Sequence, residues 1–109
     1  MLDVIIKAYE SMQKGKSFAF ATIYESTKKG TPQKAGAKMI VWENGESLGT
    51  IGGGRNEKAA IKECQQAIKT GQEKDVTYNF FGGEGYSVCG GQIKVLIEPF
   101  VGKKKEQKK

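Results

Sequence analysis

Ser47-Leu48-Gly49-Thr50-Ile51-Gly52-Gly53-Gly54-Arg55-Asn56-Glu57 decides the fold, because within it a strand gives way to a helix across three consecutive glycines. Upstream, two apolar runs at about 37–42 and 46–51 are joined through Glu43-Asn44-Gly45-Glu46. An Asn-Gly pair between apolar runs predicts a β-hairpin, since both residues tolerate positive φ in a type I′ turn. Downstream, residues 56–70 carry Ala60, Ile61, Cys64, Ala67 and Ile68 at helical spacing. Asn56 suits the N-cap of that helix, Glu57 its positive dipole end, and Gly71 its close.

Working outward, residues 2–14 read as a helix with Ile5, Ala8, Tyr9 and Met12 on its apolar stripe, Asp3 in the first turn and Gly15 at the end. Ser17 to Glu25 reads as a strand with unequal faces: Phe18, Phe20, Thr22 and Tyr24 point one way, and Ala19, Ala21 and Ile23 the other. Its near-continuous apolarity predicts a central strand covered on both faces. Residues 26–36 form a polar loop longer than most connections, a kind that often carries function. Val76, Tyr78 and Phe80 alternate as a fourth strand. A glycine-rich loop follows at 82–91, and a last strand from Ile93 to Glu98 is expected to stop at Pro99, which cannot donate to a ladder. The fold class expected is α+β: a single domain, residues 1–101, with a mixed sheet of about five strands and two helices, followed by a disordered basic tail at 102–109.

Composition narrows the chemistry. The 109 residues carry a formal net charge of +6, but the tail from Gly102 to Lys109 holds five Lys and one Glu, leaving the body only weakly basic. The body shows no basic stripe interleaved with aromatics, which argues against nucleic acid, and a solvated tail is the expected state of the lysine run. No apolar run reaches the roughly 18 residues of a membrane span, and the N-terminal stretch lacks the pattern of a secretory leader, so the expected compartment is the cytoplasm. Two cysteines, Cys64 and Cys89, make no disulfide framework and no CxxC motif. The absence of histidine excludes Ser-His-Asp and Cys-His catalysis within this chain and removes the commonest zinc ligand.

The glycines remain. Of 15, eight lie at 52–54 and 82–91. A glycine loop feeding a helix start lets backbone N–H groups approach an anion, and Arg55 adds a planar donor fork suited to phosphate. A tight strand-to-helix turn would use the same glycines with no ligand. Neither nucleotide fingerprint is satisfied: no stretch supplies a P-loop, and a dinucleotide motif begun at Gly52 has Glu57 at its third glycine position. Cys64 falls on the apolar stripe of its helix and reads as a core residue. Cys89, beside Gly90-Gly91 in a glycine-rich loop, reads equally as a loop thiol without a role or as a nucleophile or soft metal ligand.

Three segments resemble one family. Thr31-Pro32-Gln33-Lys34-Ala35-Gly36-Ala37-Lys38-Met39 after Gly30 resembles the Gly-Ser-Ser-Pro-Arg-x-Pro-Gly-Ala-x-Met loop of the XdhC/CoxI proteins. Gly45 and then Gly49-Thr50-Ile51-Gly52-Gly53-Gly54, with Glu57, resemble its hairpin and GTIGGG signature, and Cys89-Gly90-Gly91 followed by Val95-Leu96-Ile97-Glu98-Pro99-Phe100 its CGG…VLIEP ending.

The resemblance implies an accessory protein, without turnover of its own, that binds molybdenum cofactor (molybdopterin or its dinucleotide form) as cargo and passes it to an apoenzyme of the xanthine-dehydrogenase-like molybdenum hydroxylases. It further implies a homodimer and, because many members continue into a Rossmann-type domain, a Rossmann-domain partner chain. On this reading Thr31, Lys34, Gly52, Gly53, Gly54, Arg55, Asn56, Glu57, Cys89, Gly90 and Gly91 bind cofactor, with Cys89 meeting molybdenum or its sulfur. The chain departs from the family at Arg55-Asn56-Glu57, where Cys-Leu-Glu is usual, so the family's thiol at that position is missing. Two rival readings stay open: a sulfur- or acyl-transfer enzyme with Cys89 as nucleophile and Lys34 or Glu84 as base, and a scaffold or regulator that no longer binds cofactor.

Overall fold

The computed structural model describes residues 2–27, 35–79 and 91–102. In chain order these form helix α1 (Leu2–Gln13), strands β1 (Phe18–Ser26), β2 (Lys38–Trp42) and β3 (Ser47–Gly49), helix α2 (Gly54–Thr70), and strands β4 (Lys74–Asn79) and β5 (Gln92–Phe100). The five strands make one sheet in the order β3-β2-β1-β5-β4, so β1 is central, as its apolarity predicts. The α+β class with two helices and five strands agrees with the sequence reading. The sheet is not mixed, however: all four neighbouring pairs are antiparallel. The α2 crossover does join two strands that run the same way, β3 and β4, but it carries the chain to the opposite edge and no parallel pair forms.

The two faces of β1 serve two cores. Its small residues Ala19, Ala21 and Ile23 face α2, where they pack with Met39, Val41, Ile51, Ala60, Cys64, Ala67, Ile93, Val95 and Ile97. Alanines on the central strand let the helix axis come close to the sheet. The bulky side, Phe18 and Phe20, meets α1 through Val4 and Ala8, together with Ile40, Trp42 and Leu48. The stripe expected on α1 is displaced: the buried positions are Val4, Ala8 and Ser11, while Ile5, Tyr9 and Met12 are exposed. Hydrophobicity alone does not orient a helix that is apolar on two sides. Ser11 is tolerated inside because its hydroxyl donates to Lys7 O at 2.8 Å and accepts from Trp42 Nε1 at 2.8 Å.

Three local readings are also corrected. The β2–β3 turn is not type I′, since among the described residues, Asn44 included, none but glycine has positive φ; Gly45 (φ 92) donates to Trp42 O at 2.9 Å, a turn completed by one left-handed glycine. Helix α2 starts at Gly54, with Gly53 at the cap position, so Asn56 is not the N-cap. Pro99 does not stop β5, which pairs with β1 through Phe100; pairing with β4 ends at Ile97, so Pro99 sits where one side of the strand is open. The close of α2 is as expected, with Gly71 left-handed (φ 74) and its N–H on Ala67 O at 2.7 Å. Gly102 is held to the body by its N–H on Ser17 Oγ at 2.8 Å; the lysine run at 103–109, like Phe80, lies outside the described residues.

Candidate cofactor-binding site

Antiparallel pairing sends three connections out of one end of the sheet. The pairs Ser26↔Ile93, Thr22↔Lys38, Met39↔Gly49 and Asn79↔Gln92 place the ends of β1, β3 and β4 beside the starts of β2 and β5. From that end leave the 27–37 connection, the Thr50–Gly53 turn into α2, and the 80–91 connection. These are the three segments that the sequence marks as candidates.

Polar ties join their roots. Thr27 N donates to Gln92 O at 3.1 Å, and Gln92 N returns to Thr27 Oγ1 at 3.1 Å. Gln92 Nε2 donates to Asn79 Oδ1 at 3.1 Å, and Asn56 Nδ2 reaches Asn79 O at 2.8 Å. Asn56 therefore anchors the first turn of α2 to the end of β4. Sequence reasoning missed Thr27, Asn79, Gln92 and Thr50, because an isolated polar residue at a strand end carries no signal of its own.

The glycine turn is built around a carboxylate. Gly52, Gly53 and Gly54 have φ of 130, 78 and 65°, a run of positive values that L side chains resist. Glu57 Oε1 fills the inside of the turn, accepting from Thr50 Oγ1 at 2.5 Å, Gly53 N at 3.0 Å and Ile51 N at 3.3 Å. Gly52 N donates to Thr50 Oγ1 at 3.0 Å. Two roles of glycine separate here. At Gly49 a Cβ would lie 2.5 Å from Lys38 O, so the close approach of β2 requires glycine. At Gly53 and Gly54 a Cβ would meet nothing within 4 Å, so there the backbone faces open space. The N–H groups of Gly54, Arg55 and Asn56 point out of the first turn without a partner among the described residues. Arg55 is exposed and forms no ion pair among them.

Of the other candidates, Gly91 is buried immediately before Gln92. Thr31, Lys34, Cys89 and Gly90 lie outside the described residues, so the structure does not bring them to or away from the turn. Cys64 is fully buried in the α2 core, where burial, aided by the charge of Glu63, pushes its thiol up to about 12; it is a protonated core residue. Tyr78, on the same side of the sheet, has a buried hydroxyl without a hydrogen-bond partner among the described residues, and burial raises it to about 12. No helix among the described residues is long and apolar enough to cross a membrane.

A fold of two helices on one antiparallel sheet, with a GTIGGG turn at the loop end, agrees with comparison to known proteins. The sequence model of the XdhC and CoxI family matches residues 11–79, and the chain belongs to that family. It is 30% identical over 96 residues to the molybdenum cofactor insertion chaperone PaoD of Escherichia coli K12, covering 83% of this chain and 29% of that protein. It is also 30% identical over 100 residues to the uncharacterized protein YqeB of the same organism, covering 88% of this chain and 18% of the relative. Among solved structures it resembles a xanthine dehydrogenase from Bacillus halodurans, with a TM-score of 0.70 and 26% identity over 86% of this chain and 30% of that one. The chain thus spans less than a third of each of these relatives. The family match includes the glycine turn and stops before Cys89.

Proposed function

We propose that this chain is an accessory protein of molybdenum hydroxylases that holds a molybdopterin-type cofactor as cargo at the loop end of its sheet and hands it to an apoenzyme, with no turnover of its own. The observation that carries this reading is the open first turn of α2: three N–H groups without partners among the described residues, glycine backbone with free space before it, and an exposed Arg55 beside them. A phosphate fits such a turn, because helix-start donors and the dipole favour an anion and Arg55 supplies a bidentate fork. Membership of the XdhC and CoxI family and the likeness to an insertion chaperone support the same cargo.

In this account the residues divide their work. Arg55 and the N–H groups of Gly54, Arg55 and Asn56 take the phosphate. Glu57 does not touch the ligand; its carboxylate fixes the turn from inside and offsets part of the helix's positive end, which makes Arg55 the main attraction. Thr31 and Lys34 close over the cargo, and Cys89 with Gly90-Gly91 meets the molybdenum side, where a thiolate suits a soft metal. A homodimer, a Rossmann-domain partner and a cytoplasmic setting belong to the same proposal. The test is to express the chain in a host that makes the cofactor, assay the purified protein for molybdenum and for pterin fluorescence, and add it to a molybdenum hydroxylase apoenzyme. Near-stoichiometric pterin and recovered hydroxylase activity are expected. Protein that carries neither pterin nor molybdenum, and does not activate the apoenzyme, overturns the reading in favour of a scaffold.

A further inference from the structure

Helix α2 turns its buried side, Ala60, Cys64, Ala67 and Ile68, to the sheet. At about 100° per residue, Arg55, Lys58, Lys62, Gln66 and Lys69 fall within an arc of about 80° on the opposite side. All five are exposed. The four cations form no ion pair among the described residues. No carboxylate shares this stripe: Glu57 is folded into the glycine turn, and Glu63, on the flank, accepts from Lys74 Nζ at 2.9 Å.

The helix gains nothing from this arrangement. Arg55 and Lys58 stand at its positive end, where acidic residues are favoured, and Lys58 and Lys62 are like charges four residues apart. The stripe also holds the positive excess of the body. Residues 1–101 contain 13 Lys and Arg against 11 Asp and Glu, and with these four cations set aside the remainder carries a net −2. An anion thus meets a body that on balance repels it, and a line of attraction along α2 that ends at Arg55 and the open N–H groups of the first turn.

We infer that Lys58, Lys62 and Lys69 steer the anionic cargo along α2 into the turn, setting how fast it is captured, while Arg55 and the N–H groups set how slowly it leaves. The inference rests on the cargo site proposed above. A phosphate monoester carries about two negative charges at neutral pH. Its attraction to a lysine is screened over roughly 8 Å at physiological ionic strength and roughly 30 Å at 0.01 M. At a rise of about 1.5 Å per residue, Lys58 stands about 5 Å along the axis from Arg55, Lys62 about 10 Å and Lys69 about 21 Å. Lys58 and Lys62 therefore act on a phosphate nearing the turn at physiological salt, and Lys69 acts only when salt is low. A field of this kind changes the association rate and its salt dependence, because it works before contact is made.

Stopped-flow fluorescence with the full chain tests this, the probes being a fluorescent pterin that carries a phosphate monoester and the same pterin without phosphate. The variants are Lys58→Gln/Lys62→Gln, Lys69→Gln and, as a control for net charge beside Trp42 at the other end of the sheet, Lys14→Gln/Lys16→Gln. Every substituted site is exposed, so the variants fold, which far-UV circular dichroism verifies. At about 0.15 M salt Lys58→Gln/Lys62→Gln is expected to lower the association rate for the pterin phosphate about fivefold, with the dissociation rate within about twofold of wild type. Lys69→Gln should match wild type there and fall behind it only near 0.01 M, and the Lys14 and Lys16 control should stay within about twofold at 0.15 M. The pterin without phosphate should show no difference among the variants. An equal fall in the control reduces the effect to net charge and overturns the inference; so does a change carried by the dissociation rate, which would put the lysines on the phosphate. Unchanged rates in the lysine variants remove the steering alone, whereas a pterin phosphate that does not bind the wild type removes the cargo site and the inference with it.

Discussion

Two glycine-bearing turns, at opposite ends of the sheet, solve different problems. The β2–β3 hairpin needs one left-handed residue, Gly45, and closes with backbone hydrogen bonds from Trp42 to Glu46 and from Gly45 to Trp42. The β3–α2 turn uses three successive positive-φ glycines and needs a buried-side carboxylate from the helix to hold it. Among the described residues the second turn keeps its backbone bare toward open space and three N–H groups unpaired, the arrangement that the proposed anion site uses. At Gly53 and Gly54 glycine is favoured by positive φ alone, with open space beside the backbone, whereas at Gly49 it is also required by the close approach of β2.

The sharpest way to break this contrast is Gly49→Ala. With φ at 90° and its Cβ 2.5 Å from Lys38 O and 3.0 Å from Val4 Cγ2, the new methyl group has backbone against it. A loss of about 3 kcal/mol or more in urea unfolding is expected, since neither strand can move aside. A loss below about 1 kcal/mol would mean that the β2–β3 approach is looser than described.

Glu57→Gln addresses the turn itself. The carboxylate accepts from a hydroxyl and two backbone N–H groups, and a neutral amide satisfies them less well, so stability should fall by about 1–3 kcal/mol. Removing a negative charge beside the open N–H groups should at the same time tighten binding of a phosphate-bearing pterin severalfold. Stability and affinity moving in opposite directions would mark Glu57 as the internal brace of the turn; a parallel loss of both would place Glu57 on the ligand.

Cys64 supplies a measure of the closed α2 core. Cys64→Ser puts a hydroxyl among apolar side chains and should cost about 1–3 kcal/mol where no partner is found. The wild-type thiol should resist brief iodoacetamide treatment, read by mass spectrometry. Because its pKa rises from 9.0 unfolded to about 12 folded, the unfolded chain loses this proton first as pH climbs. Stability therefore falls between about pH 9 and 12, by at most about 1.4 kcal/mol per pH unit from this group, and Cys64→Ala should flatten that slope.

Much of the fold was legible because its signals are local and redundant: alternation in β1, the helical repeat of α2, and glycines at both turns. What was not legible depended on tertiary choice. Nothing local says which side of α1 is buried when Ile5, Tyr9 and Met12 compete with Val4 and Ala8, and the sheet supplied the answer by offering Phe18 and Ile40 to the smaller pair. The antiparallel sheet was hidden for the same reason, since a helical crossover does not reveal which edge it reaches. At the candidate site, the glycines and Arg55 were visible as residue types. That Glu57 folds back on the turn, and that Asn56 ties it to Asn79, needed the geometry.

The direct test of the central claim is titration of a phosphate-bearing molybdopterin precursor against wild type and Arg55→Ala, with thermal melts of both. Arg55 is exposed and unpaired among the described residues, so its removal should leave the melting temperature unchanged. Loss of one charge-assisted phosphate contact should weaken binding about tenfold or more, equivalent to roughly 1.5–3 kcal/mol. Equal affinities for wild type and variant would contradict the account and remove the α2 turn from the site.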